Sequence, residues 1–414
     1  MLRVAVLVDL PRDKNAGGHV KYWERIAQAA VKTNAPLDLS IYFSGSGSDE
    51  ILSAQVRFRY LPPVFSTARL KFLPYIPAHT DLASFHPRLA AALPTYDVIH
   101  TTEGAFAFAH TAERIARTHN IPLATSFHTD TAAYAEVFTR QILATLLGKK
   151  FGGWVDRVFK LSRCERMAKT HRLKKHISAC SAVLAMRPED VALARNVIPE
   201  DKIHKMRLGV DKDIFVPNPQ ARGFIEQQYR IPPQKFLVIF VGRVDAGKNI
   251  SRLTDTCVDI LEKNIPLHLV VIGQGPLENE VREKLGEQAT LTGVLSPEQL
   301  AQFYAGADCL AIASDIEIGG MIGLEALACG CPVVVSRQSG MAQLCGNTEA
   351  MQQVESNLAA WVEALANFSH NLDKQAAMRK EALTFREEKM ASWGDVLNED
   401  FLPVWQGLAE KRQK

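Results

Sequence analysis

The sequence is sparing with cysteine: seven in 414 residues, and they are scattered. Only Cys329 and Cys331 stand close together, and one C-x-C without a second pair is a weak zinc or redox signal. Several of the others, Cys257 and Cys309 among them, sit in apolar runs, where cysteine behaves as a small hydrophobe. A disulfide framework is excluded, and a reducing compartment is expected. Long apolar runs are also missing. None approaches the roughly 18–20 residues needed to span a bilayer, so no membrane-crossing helix is expected. The first residues, Met1-Leu2-Arg3 and then Val4 to Val8, read as a strand, too short for a signal-peptide core with its cleavage site. Internal repeats, low-complexity tracts and a Walker loop are absent, which removes solenoids, disordered linkers and P-loop chemistry.

What remains is an ordinary globular composition, 47% hydrophobic and 22% charged. The length suits two domains of about 200 residues each. Apolar runs rich in Val, Ile and Leu recur at Val4–Val8, Leu37–Phe43, Asp97–His100, Pro122–Phe127, Ile177–Val183, Phe236–Val241, Leu267–Ile272, Cys309–Ala313 and Pro332–Ser336. They are continuous rather than alternating, the mark of parallel strands buried on both faces. Helical patterns lie between them. Val20, Trp23, Ile26, Ala27 and Ala30 form one stripe. Ser296-Pro297-Glu298-Gln299 is a capping box with proline at the first helical position, opening a helix through Ala305. Two α/β units are expected, 1–208 and 209–392, joined by the turn-rich stretch Leu208–Pro219. The polar tail Glu410–Lys414 reads as frayed.

Charge is uneven. The net charge is +3, yet Arg140 to Lys175 holds eleven Lys/Arg against Asp156 and Glu165, +9, which leaves −6 for the rest. Such a block implies an anionic partner surface or a solvated helix face. Its cations are interleaved with Phe151, Trp154, Val158, Phe159 and Leu161, which suits an anionic membrane at about 1 kcal/mol per cation. No nucleic-acid module accompanies the block, so nucleic acid is not expected as a partner.

Four constellations carry chemistry. Glu317 and Glu325 straddle the glycine-rich turn Gly319-Gly320 and a helix start at Met321-Ile322. The glycines permit close backbone approach, the helix N–H groups can donate, and the acids can accept from hydroxyls. Arg243 and Lys248 flank a turn after the strand Phe236–Val241, where parallel sheets bind ligands, and two cations there suit a diphosphate. Read singly, a surface loop and a solvated turn explain these two equally well. Gly17-Gly18 before a helix allows an approach to phosphate, although loop flexibility explains it too. His128, in Ser126-Phe127-His128-Thr129-Asp130, ends a strand; a lone histidine there is more often structural than ligand-facing. His100 shares that ambiguity, and Glu103 reads as solvated.

The order of these motifs, with Gly209-Val210-Asp211 and Phe215 between them, resembles the retaining family 4 glycosyltransferases of GT-B fold along nearly the whole chain. The resemblance implies two Rossmann-like domains facing across a cleft, acceptor-side first and donor-side second. A final helix near 393–408 would return to the N-terminal domain. It implies a nucleotide-diphosphate sugar as donor. Arg243 and Lys248 would neutralise the leaving diphosphate, and Glu317, with backbone N–H groups around Gly319, Gly320, Met321 and Ile322, would hold the transferred sugar. Glu325 would bind the ribose, and backbone near Val294 the base. Gly17 and Gly18 would approach the diphosphate, and His128 the donor sugar. Neither metal nor other cofactor is implied, since cationic side chains and helix N-termini stabilise the leaving group. The chain departs from the family in having Gly319 where an aromatic is usual. Arg337–Gly346 lacks the usual Gly-Gly and glutamate, with Gln343 near the latter's place.

The Ser-Phe-His-Thr-Asp string and Tyr134 look similar to enzymes acting on membrane lipids. A cytoplasmic, peripheral enzyme with a lipid or lipid-linked acceptor is therefore expected, with the membrane met by 140–175. A soluble transferase with a sugar or small-metabolite acceptor, and a non-catalytic nucleotide-sugar-binding protein, are the competing readings.

Overall fold

The computed structural model describes all residues except 14–15, 68–80, 129–130, 316–319, 346–347 and 414. The chain folds as two units, residues 1–208 with 393–414, and residues 209–392.

The first unit is built on strands β1 (Leu2–Pro11), β2 (Leu37–Ser44), β3 (Glu50–Ile51), β4 (Val56–Leu61), β5 (Val98–Thr101), β6 (Leu123–Ser126), β7 (Ala182–Ala185) and β8 (Ile203–Lys205). Their order is β3-β4-β2-β1-β5-β6-β7-β8; β3 runs antiparallel to β4, and the other neighbouring pairs are parallel. The interior of β1, Val4 to Val8, is buried on both faces, as continuous apolar runs require. The helix Gly18–Lys32 turns Val20, Trp23, Ile26, Ala27 and Ala30 inward.

The second unit holds β9 (Gly209–Val210), β10 (Phe236–Val241), β11 (Leu267–Ile272), β12 (Ala289–Gly293), β13 (Cys309–Ile312), β14 (Val333–Ser336), β15 (Met351–Val354) and β16 (Ala391–Ser392). The main sheet is β12-β11-β10-β13-β14-β15, parallel throughout. Side chains alternate between its two faces: Leu237 and Ile239 enter one core, Phe236, Val238 and Phe240 the other. Each fully buried aliphatic side chain is worth about 1.5–3 kcal/mol relative to exposure. The pair β9–β16 joins the two ends of this unit, with Gly209 opposite Ala391 and Val210 opposite Ser392.

Three local expectations need correction. Ile177 closes the helix Leu161–Ala179 instead of opening a strand, and β7 starts only at Ala182. The apolar run fitted either element, because Ile177 and Val183 both enter the same core. The tail does not fray at Glu410: the helix Leu402–Gln413 continues, and Arg412 donates to the carbonyl of Tyr96 at 3.0 Å. Glu103 is not solvated, as described below. The capping box is formed as expected, with the Ser296 hydroxyl receiving the Gln299 N–H and the Gln299 side chain receiving the Ser296 N–H.

Residues 393–414 are part of the first unit. Trp393–Asp395 leads into a π-helical turn, Val396–Phe401, and then the helix Leu402–Gln413. Asp400 clamps this segment by accepting from the backbone N–H of Arg207 at 2.9 Å and from its guanidinium at 2.7 Å. Trp393 meets Tyr22 edge-on at 5.0 Å.

Candidate functional site

In the second unit the chain lays down β10, moves outward to β11 and β12, then returns to place β13 on the other side of β10. This reversal leaves a crevice at the carboxyl ends of β10 and β13. The loop after β10 carries Arg243 and Lys248; the loop after β13 leads to Gly320.

These two loops are tied together. Asn249, left-handed with φ 52°, donates its side-chain amide to the Ala313 carbonyl at 3.0 Å and to Asp315 at 3.2 Å. The Ser314 hydroxyl donates to the Gly247 carbonyl at 3.4 Å. Asp315 is the hub. It accepts from Ser336 at 2.5 Å, Ser356 at 2.6 Å and the Arg252 guanidinium at 3.2 Å. Burial works against its charge, but these three hydrogen bonds outweigh it and hold the carboxyl below its ordinary range. Sequence reasoning missed Asp315; its only signal was an acid directly after a parallel strand.

Within the turn, Asp245 accepts the Lys248 backbone N–H at 3.1 Å and pairs with the Arg243 guanidinium at 3.0 Å. Arg243 is 72% exposed, so the turn presents its charge to solvent. Behind it, Gly273 has φ +133°, and a Cβ there would stand 1.9 Å from the Gly242 carbonyl oxygen. Only glycine lets the loop after β11 pass so close. Gly273 also donates its N–H to the Gly293 carbonyl at 2.8 Å, which sets exposed Val294 beyond the end of β12.

Gly320 caps the helix Met321–Ala328 in the left-handed conformation, φ +54°. Its Gly323 N–H and Leu324 N–H return to the Gly320 carbonyl, so Met321 and Ile322 have no acceptor within the helix. Buried Met341 backs this turn: a Cβ on Gly320 would lie 2.6 Å from its sulfur. One turn on, half-buried Glu325 accepts from the Tyr304 hydroxyl at 3.3 Å. Glu317 and Gly319 lie outside the described residues.

The first unit holds the other expected residues. Gly17 precedes the helix that begins at Gly18, and a side chain there would meet nothing within 4 Å. His128, just past β6, stacks on His19 with centroids 4.7 Å apart. Its Nε2 lies 2.8 Å from the Ser126 hydroxyl, which lies 2.8 Å from Nε2 of His100. His100 is fully buried at the centre of β5 and meets the Trp405 indole N–H. Burial holds His19 and His100 down to about 3, and burial with those two neighbours holds His128 well below the usual range. All three rings are neutral near pH 7.

Two acids stand at the ends of β1 and β5. Asp9 accepts the Phe108 N–H at 3.0 Å through one oxygen, while the other, buried, has no partner among the described residues. Burial pushes its carboxyl up to about 8, against the Phe108 bond and with help from Glu103 and Asp81. Glu103 accepts backbone N–H groups of Ala105 and Phe106, and burial raises it too. The expectation of a solvated Glu103 is thus overturned.

The basic stretch forms the helices Thr131–Leu147, Lys149–Phe159 and Leu161–Ala179. Arg140 and Arg166 are paired with Glu136, and Arg172 with Glu113. The middle helix exposes Phe151, Trp154 and Val158 along one stripe, each about half accessible, and Phe159 beyond them. Lys150, Arg157, Lys160 and Arg163 are exposed around it. No described helix is long and apolar enough to cross a membrane.

Residues 221–385 match the family of glycosyl transferases group 1. Sulfoquinovosyl transferase SQD2 of Arabidopsis thaliana is 28% identical over 265 residues, 62% of this chain and 46% of that protein. The GDP-mannose-dependent alpha-(1-6)-phosphatidylinositol dimannoside mannosyltransferase of Mycobacterium tuberculosis is 32% identical over 139 residues, 33% of this chain and 36% of its own length. The aligned stretches thus span less than half of these relatives. Among solved structures, sucrose-phosphate synthase of Thermosynechococcus elongatus superposes with a TM-score of 0.70 at 18% identity, covering 100% of this chain and 99% of the other.

Proposed function

We propose that this chain, a group 1 glycosyltransferase with the GT-B fold, moves a sugar from a nucleotide-diphosphate sugar to a lipid or lipid-linked acceptor, with retention at the anomeric carbon. One observation carries the donor half. The loop bearing Arg243 and Lys248 is hydrogen-bonded to the segment that leads into Gly320, at the sheet's switch point.

In this reading Arg243 and Lys248 take up the charge of the leaving diphosphate, Arg as a fork and Lys as a point charge. The Met321 and Ile322 N–H groups, at the positive end of their helix, add to that stabilisation. Glu317 holds hydroxyls of the transferred sugar, Glu325 the ribose, and backbone at Val294 the base. Gly17-Gly18 offers backbone to the diphosphate, and His128 a hydrogen bond to the sugar. The leaving group needs no metal when cations and helix N–H groups do this work. Same-face attack by the acceptor requires no covalent nucleophile, and none is assigned.

The acceptor half rests on the helix Lys149–Phe159. Its stripe of Phe151, Trp154 and Val158 framed by cations is the composition of a helix that lies in a membrane interface. The mycobacterial relative's name specifies both a nucleotide-sugar donor and a phosphatidylinositol glycolipid acceptor.

The test is a panel of UDP-, GDP- and ADP-sugars read by thermal shift and nucleotide release. The matching donor at 100 times its Kd stabilises the fold by about 2.7 kcal/mol. If no donor in the panel shifts the melting temperature or releases nucleotide, the proposal fails. Turnover with a soluble acceptor and indifference to vesicles would remove the lipid half alone.

A further inference from the structure

We infer that the Trp405 indole fixes the tautomer of His128 through His100 and Ser126, so that His128 offers its ligand a hydrogen from Nδ1. The functional half of this inference rests on the role proposed above for His128.

The chain of donors has one consistent direction. An indole N–H can only donate. Trp405 Nε1 lies 3.1 Å from Nδ1 of His100, so that nitrogen is a bare acceptor and the ring hydrogen sits on Nε2. His100 Nε2 lies 2.8 Å from Ser126 Oγ and therefore donates to it. The single Ser126 hydrogen then goes to its other neighbour, Nε2 of His128, at 2.8 Å. With Nε2 accepting, the neutral His128 ring carries its hydrogen on Nδ1. The opposite tautomer would point two ring N–H groups at one hydroxyl and leave the Ser126 hydrogen without either ring to receive it.

The surroundings protect the chain. Trp405, His100 and Ser126 are wholly buried and His128 is nearly so, which keeps water from intervening. Phe401 packs on His100 with centroids 5.6 Å apart, and Trp23 lies edge-on to both His100 and His128. The Arg207–Asp400 clamp fixes the π-helical turn from which Trp405 follows. Burial disfavours charge on either imidazole, in agreement with the hydrogen-bond directions. His128 is thereby a donor, with Nε2 already occupied. Trp405, His100 and Ser126 are positioning residues.

The experiment uses the full chain with 15N-labelled histidine. Long-range proton–nitrogen spectra at pH 7, assigned with H128N and H100N, report which ring nitrogen is protonated. Expected are a protonated Nδ1 on His128 and a protonated Nε2 on His100. In S126A, His100 keeps its form while His128 becomes a mixture; in W405F both become mixtures. Nε2–H on His128 in the unaltered protein, or an unchanged His128 signal in folded S126A, overturns the inference. If W405F does not fold, S126A decides. Loss of the preset donor lowers kcat about tenfold and leaves the donor KM within about twofold; an unchanged kcat with a shifted tautomer overturns the functional half. Failure of every nucleotide sugar to bind would remove the proposed function and leave the tautomer result standing.

Discussion

Trp405 donates its indole N–H to His100 across 305 positions of sequence, from the last helix to the middle of the first unit's sheet. The contact turns a residue far from any recognised motif into part of the environment of His128. The same buried cluster sets how the protein responds to acid.

His19 and His100 are held near 3 and His128 well below its ordinary value, whereas the unfolded chain protonates them near 6.5. Folded pKa values below the unfolded ones give stability that is complete above about pH 6.5 and lost as pH falls toward 3. Each histidine contributes a slope of up to about 1.4 kcal/mol per pH unit in that window. Thermal melts from pH 7 to 4.5 should show a steep fall, and H100Q should lessen it. A flat profile would contradict the buried neutral cluster.

Asp9 acts in the opposite sense. Its carboxyl is raised to about 8 in the folded state, so its contribution is present below about pH 4 and is lost as pH rises toward 8. D9N should therefore gain stability over the parent progressively between pH 5 and 8. An advantage for D9N that shrank with rising pH would refute this.

Asp315 holds two loops and two serines, so D315A leaves the buried Ser336 hydroxyl and several half-buried donors without this acceptor. A loss of about 3–5 kcal/mol is expected in denaturant melts, and a smaller loss for D315N. At a temperature where D315N is folded, its donor affinity should fall more than its kcat. Unchanged affinity would mean the two loops do not depend on this tie.

Lys248 and Glu325 should separate kinetically. In the proposed role, Lys248 carries charge that matters most as the diphosphate leaves, so K248A should lower kcat about 100-fold or more. In the proposed ribose-binding role, Glu325 contributes ground-state binding, so E325A should raise KM for the donor with kcat little changed. Equal loss of kcat in both variants would argue against the assigned roles.

G273A places a methyl within 1.9 Å of the Gly242 carbonyl at φ +133°, where no side chain can yield. Its cost should exceed about 3 kcal/mol, read by urea melts. By contrast, the triple change F151S, W154S and V158S touches an exposed stripe. It should leave the melting temperature within about 2 °C and abolish sedimentation with anionic vesicles at low salt.

The central strands were legible because their runs are continuous and apolar: Phe236–Val241 and Leu267–Ile272 are the ends of β10 and β11 to the residue. β12 and β15 were not. The first has threonines at a half-exposed edge, and Met351–Val354 has two glutamines between its apolar ends. At the site, the Arg243–Lys248 turn and the Gly320 helix start were readable from local order. Asp315, Asp9 and the Trp405–His100–Ser126 chain were not, because their meaning lies in partners 21 to 305 residues away. No local pattern encodes such a partner.

The first unit is made from two pieces of chain with the whole of the second unit between them. A ribosome therefore delivers β1 to β8 long before the residues that complete their core. At about 5–20 residues per second, the 184 residues of 209–392 take roughly ten to forty seconds to add. During that time the pocket that receives Phe401 and Trp405 stands open, its histidines wet and free to take up protons. Maturation of the site then waits for residues 393–414, which follow the second unit in the chain. A nascent chain stopped at 392 should hold a folded second unit beside an unfinished first one, a substrate for chaperones and proteases.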